Sequence, residues 1–141
     1  MVVKYLLDTC IWRDFYENRR SRSGKPLGAY ASDLFMKILR RNDKIIFSES
    51  LLWELKKDYE ENDVKDVLNI LLISNVLIKV EITKSEYEEA KRLCYERNVP
   101  FVDCLNAIHA RNHKAVLVSQ DAHFFEKLND IINPVRPEEI T

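Results

Sequence analysis

Four carboxylates, Asp8, Glu54, Asp103 and Asp121, occupy the positions from which chemistry would be expected. Asp8 directly follows the apolar run Val2–Leu7. Asp121 closes Ser119-Gln120-Asp121, just after Ala115–Val118. If both runs are strands of a parallel sheet, their ends reach the same edge, which is where open α/β sheets place ligands. Glu54 lies about two turns beyond a second apolar run, and Asp103 lies in the first turn of a helix after Asn98-Val99-Pro100. Carboxylates that converge repel one another and call for a counter-cation. Hard oxygen ligands of this kind suit Mg²⁺ or Mn²⁺. Two such ions roughly 4 Å apart clamp the attacking and leaving oxygens of an in-line phosphoryl displacement. Each acid also has an ordinary reading. Asp8 and Asp121 suit helix caps, Glu54 a solvated helix face, and Asp103 a favourable acid at a helix N-terminus.

The elements that must position these acids can be read from periodicity. Val2–Leu7, Lys44–Phe47, Val76–Ile82 and Ala115–Val118 are short runs rich in apolar and β-branched residues, as strands buried on both faces require. Between them fall helical patterns over 11–17, 29–41, the segment after Ser48 or Ser50, 62–74 (Val64, Val67, Leu68, Leu71, Leu72), 83–98 and 101–112, with a last one after Asp121. Thr83-Lys84-Ser85-Glu86 is a capping box. Ile131, Ile132 and Val135 suggest a final edge strand. The alternation predicts a three-layer α/β/α fold with a central, mostly parallel sheet of four to five strands, in one domain spanning 1–141.

Composition narrows the class. Hydrophobic residues make up 46% and charged residues 32% of 141, which suits a globular chain with a real core. Two glycines are too few for an all-β protein with many tight turns. Cys10, Cys94 and Cys104 form no CxxC pair, and the first apolar run is too short for a signal peptide or membrane span. Both features point to a reducing, cytoplasmic setting. The net charge of −1 does not announce a nucleic-acid binder, so any such role needs a local basic patch. Segment 18–28 holds both glycines and the basic residues Arg19, Arg20, Arg22 and Lys25, and reads as an exposed loop. It is either a solvated linker or a contact for substrate phosphates. Arg13, one turn beyond Asp8, is the best placed single cation. His109 and His113 are expected at the surface or partly buried.

Tyr5-Leu6-Leu7-Asp8-Thr9-Cys10, the 48–55 segment with Glu54, Val102-Asp103-Cys104-Leu105-Asn106-Ala107-Ile108-His109-Ala110, and Val116–Phe124 with Asp121 form an ordered set. In that order and spacing the chain resembles the PIN-domain ribonucleases, a family that includes the VapC toxins of toxin–antitoxin pairs. The resemblance implies a metal-dependent endoribonuclease. Asp8, Glu54, Asp103 and Asp121 would be the catalytic and metal-holding acids for one or two Mg²⁺ or Mn²⁺ ions, with Thr9 and Ser119 as neighbouring hydroxyls. It also implies an RNA substrate, a small antitoxin partner and a homodimer. One position departs from the pattern. Many relatives carry a further Asp two residues after the one matched by Asp121, and here His123 stands there. His123 reads either as an exposed helix histidine or as a contact near phosphate or metal. The departure keeps a second reading open, a PIN-like module that binds RNA or protein without cleaving.

Overall fold

The computed structural model describes residues 1–141, apart from the side chains of Val67 and Ile70. Strands β1 (Lys4–Leu7), β2 (Lys44–Phe47), β3 (Leu77–Lys79) and β4 (Val116–Val118) form one sheet in the order β3-β2-β1-β4. All three pairings are parallel. Helices α1 (Thr9–Glu17), α2 (Leu27–Arg41), α3 (Glu49–Asp58) and α4 (Glu61–Ile73) precede β3. Helices α5 (Lys84–Arg97), α6 (Phe101–Asn112) and α7 (Ala122–Lys127) complete the chain with a 3-10 turn, Pro137–Glu139.

Alternation along the strands builds the three layers. Tyr5, Leu7, Ile45, Phe47 and Val118 face a core shared with Ile11, Trp12, Leu34, Leu51 and Leu68 of α1–α4. Leu6, Ile46 and Leu117 face the opposite core, with Leu93, Leu105, Ile108 and Phe124 of α5–α7. Residues of period two on flat, β-branched runs can bury both faces only if helices cover each side. Among the described residues of the expected 62–74 helix, Val64, Leu68 and Leu71 are buried. Leu72 is exposed, and the Val67 side chain lies outside the description.

The chain's shortage of glycine is met by asparagine. Asn18, Asn42 and Asn98 end α1, α2 and α5 in the left-handed conformation, at φ 51, 58 and 53°. A short polar side chain tolerates that region better than other non-glycine residues.

Three expected boundaries move. The fifth strand reduces to a single parallel bridge between Val118 and Val135. Pro134 and Pro137 lack the N–H that a longer ladder would need. The third strand is shorter than 76–82. Its partner β2 ends at Phe47, and after Val80 N–H donates to Phe47 O at 2.8 Å there is nothing left to pair. Gly28 belongs to α2 rather than to the loop. It is buried, and a Cβ there would sit 2.4 Å from Asn18 Oδ1 and 2.5 Å from Asn18 Cα. Glycine therefore marks where α2 crosses the end of α1, not a flexible turn. His109 also departs from expectation. It is fully buried, with Nε2 3.2 Å from Glu86 Oε1. Glu86 is the capping-box acid of α5, so this contact ties the start of α5 to α6.

Candidate metal centre

Strand order places the site. β1 lies between β2 and β4, so the chain leaves β1 toward one side of the sheet and returns later on the other. The ends of β1 and β4 therefore flank a topological switch point, and a crevice opens there. Asp8 and Asp121 stand at those ends as the N-caps of α1 and α7. The Asp8 carboxylate accepts from Thr9 N–H at 2.8 Å, and Asp121 accepts from His123 N–H at 2.9 Å. Capping and convergence are thus the same placement, and the two readings of these acids do not compete.

Ser119 joins the two acids. Its Oγ donates to Asp8 Oδ2 at 2.9 Å and accepts from Asp121 N–H at 2.9 Å. Cys10 adds a further donor, with Sγ 3.1 Å from Asp8 Oδ2 and 3.7 Å from Ser119 Oγ. Burial pushes the Asp8 pKa up, and the Asp121 charge adds to it. Hydrogen bonds from Cys10, Ser119 and the Thr9 backbone act in the opposite direction.

Asp8, Asp121, Asp103 and Glu54 line one depression of about 100 Å³, together with Thr9, Cys10 and Arg13. That is room for ions and water rather than for a nucleobase. Asp103 enters from the first turn of α6, with its side chain 13% exposed. Burial raises its pKa from 3.8 to about 7. The Asp8 charge contributes, and the hydrogen bond from His123 opposes the rise. Glu54 comes from α3, half-buried, with Lys57 Nζ 3.6 Å from Oε2.

All four sequence-predicted acids therefore line the same depression. Of the supporting residues, Ser119 and Thr9 hold Asp8, while His123 bridges two of the acids. Its Nδ1 lies 3.2 Å from Asp103 Oδ2 and 3.4 Å from Asp121 Oδ1. Among the described residues, Asp103, Asp121 and His123 form the one group of three whose ligand atoms lie within 4.8 Å of one another. The basic residues divide. Arg13 lines the depression, but its guanidinium donates to Glu54 O at 3.1 Å and pairs with Asp58 at 2.7 Å. Arg19 pairs with Glu17 at 2.7 Å, Arg20 donates to Gly24 O, and Arg22 and Lys25 are exposed. None of these four lines the depression.

Two residues escaped sequence reasoning. Cys10 reaches Asp8 because a residue two positions past a cap folds back over it, a local signal that was available. Asp14 is a further buried acid on α1. Burial takes its pKa to about 6, with the Arg19 charge opposing and the Asp8 charge adding. Its residue type gave no sign of burial, although Trp12 and Phe15 flank it in the sequence.

The donor set fits a divalent cation. Several carboxylates share a small depression, and two of them are pushed toward the protonated state by burial and mutual charge. A cation relieves that repulsion.

Comparison with known proteins agrees with this architecture. The VapBC2 complex from Rickettsia felis bound to a promoter DNA fragment is similar over 95% of this chain and 97% of that one, at 20% identity and TM-score 0.63. A toxin–antitoxin complex from Klebsiella pneumoniae matches over 94% and 97%, at 17% identity and TM-score 0.61. PAE2754 from Pyrobaculum aerophilum matches over 98% and 86%, at 18% identity and TM-score 0.59. At these identities the likeness is one of fold. No curated protein matches by sequence. The PIN domain model matches residues 5–130, so the chain belongs to the PIN domain family.

Proposed function

We propose that this protein is a metal-dependent endoribonuclease and the toxin of a toxin–antitoxin pair. The observation that carries the nuclease reading is the meeting of Asp8, Glu54, Asp103 and Asp121 around one small depression. Asp8, Asp103 and Asp121 would hold Mg²⁺ or Mn²⁺ directly, and Glu54 directly or through water. Bound there, the cation supplies Lewis acidity for phosphodiester hydrolysis, easing deprotonation of water and offsetting the charge on phosphate. The chain's own contribution is positioning. Ser119, Cys10 and the Thr9 N–H fix the Asp8 carboxylate. Rigid placement of this kind is what an in-line displacement needs. No side chain has to serve as a dedicated base.

The likeness to toxin–antitoxin complexes supports an antitoxin partner; as part of the proposal it is small and inserts into or covers the acidic cleft. A homodimer acting in the cytoplasm is part of the same proposal, as the family resemblance implies. Among the described residues, no helix is long and apolar enough to cross a membrane. The test is incubation of purified protein with single-stranded RNA and Mn²⁺ or Mg²⁺, with Asp8→Asn as the control. Cleavage lost in the variant and in chelator supports the reading. A 2′-deoxy linkage at the cleaved position should still be cut, because water and not the 2′-hydroxyl attacks. RNA binding without cleavage under any metal would favour the binding-module alternative, for which His123 in place of an acid is the supporting feature.

A further inference from the structure

We infer that His123 is itself a metal ligand and that its nitrogen makes the site favour a first-row transition cation such as Mn²⁺ over Mg²⁺. This deepens the proposed function and rests on that reading of the acidic cluster. The argument starts from separations. Ligand atoms about 2.1 Å from one ion stand roughly 3.0 Å apart on an octahedron and about 3.4 Å apart on a tetrahedron. His123 Nδ1 lies 3.2 Å from Asp103 Oδ2 and 3.4 Å from Asp121 Oδ1, within the range of such edges.

The local structure holds the ring there. His123 is the second residue of α7, and its backbone N–H is taken by the Asp121 cap, which fixes where its side chain leaves the helix. The ring is 39% exposed on one side, so an ion has access from solvent, while Asp103 and Asp121 close the other side. Nδ1 faces the two acids. That placement lets Nδ1 hydrogen-bond Asp103 and pair with both acids, and a cation bound between them would take over the same contacts.

The chemistry of the donor set then decides the ion. Mg²⁺ takes oxygen ligands and keeps its waters, whereas first-row transition cations accept an imidazole nitrogen more readily, Mn²⁺ being the most oxygen-preferring of them. Replacing one expected carboxylate by His123 lowers the anionic charge of the set and adds a nitrogen. The lost charge weakens both ions, and the nitrogen weakens the claim of Mg²⁺ more than that of Mn²⁺.

The test measures metal binding without turnover. Titration calorimetry and thermal shift with Mn²⁺ and Mg²⁺ are applied to the intact protein, to His123→Ala and to His123→Asp. Co²⁺ serves as a spectroscopic probe through its visible absorption. The wild type should bind Mn²⁺ at least about tenfold more tightly than Mg²⁺, and His123→Asp should shrink that ratio about tenfold. The Co²⁺ spectrum should change in both variants as a nitrogen ligand is lost. Unchanged Co²⁺ spectra and an unchanged Mn²⁺/Mg²⁺ ratio in both variants would overturn the inference while leaving the acidic metal site intact. Failure of the wild type to bind any divalent cation would instead overturn the proposed function on which it rests. The backbone cap by Asp121 survives both substitutions, and far-UV circular dichroism confirms that the variants are folded.

Discussion

Replacing Asp103 by Asn should make the metal-free protein more stable while removing its response to metal. In the folded protein Asp103 has a pKa raised from 3.8 to about 7, chiefly by burial and then by the Asp8 charge. The folded state therefore binds the proton more tightly than the unfolded state. As pH rises from about 4 to 7, the unfolded chain ionises first, and the folded state loses stability across that window. At roughly 1.4 kcal/mol per pH unit, the ceiling on this loss is about 4 kcal/mol. An acid in the first turn of α6 recovers up to about 1 kcal/mol from the helix dipole, which Asn forgoes. The net gain for Asp103→Asn in chelator at pH 8 is then about 2–3 kcal/mol, or a Tm higher by roughly 5–10 °C. It should fade toward pH 4 and vanish below about pH 3, where both states of the wild-type residue are protonated. Adding Mn²⁺ should raise the wild-type Tm and leave the variant nearly unmoved. Calorimetric melting at pH 4, 6 and 8, with and without Mn²⁺, reads every arm. A variant no more stable than wild type at pH 8, or one with a full Mn²⁺ response, would refute the reasoning.

Asp8→Asn should abolish RNA cleavage and leave the circular dichroism spectrum unchanged, since the amide oxygen still accepts from Thr9 N–H and the Ser119 hydroxyl can turn to accept from the amide NH2; a fully active variant would sink the catalytic assignment. Gly28→Ala should destabilise by about 2 kcal/mol in urea titration, because its Cβ would meet Asn18 backbone as well as the Asn18 side chain, and only the side chain can move aside. An equal or higher midpoint would mean that α1 and α2 separate more readily than their packing implies. Neutralising Arg19, Arg20, Arg22 and Lys25 together should lower RNA affinity and flatten its salt dependence while leaving metal binding intact. If affinity and slope stay unchanged, the loop is a solvated linker.

The parts of the fold that sequence made legible are those governed by local rules. The apolar runs around Tyr5, Ile45 and Leu117 had to be strands buried on two faces, and Thr83 with Glu86 had to open a helix. Asp8 and Asp121 were legible as caps for the same reason. Their convergence needed the further step that parallel strands share an edge. Features set by distant packing were not legible. Gly28 looked like loop punctuation because nothing in its neighbourhood announces that Asn18 will press against it. His109 looked like a surface or partly buried residue because its partner Glu86 lies 23 positions away. The basic loop lies at the surface, but which acids would neutralise Arg13 depended on α3 packing beside α1. His123 was legible as a departure from a pattern. That it would point between Asp103 and Asp121 was a matter of how α6 and α7 meet.

The strand order has a consequence for the growing chain. β1, β2 and β3 can pair as soon as about the first eighty residues are available, because each adds beside the last. β4 is different: it must return to the exposed side of β1, across more than a hundred residues, bringing Ser119 and Asp121 with it. Long-range parallel pairing of this kind comes late in folding. Until it forms, Asp8 sits on an open edge without its Ser119 bond or its partner acid. A chain still being synthesised thus carries its first strand and first acid early but has no assembled acidic cluster. Any activity that depends on that cluster is withheld until the chain has emerged past β4 and Asp121.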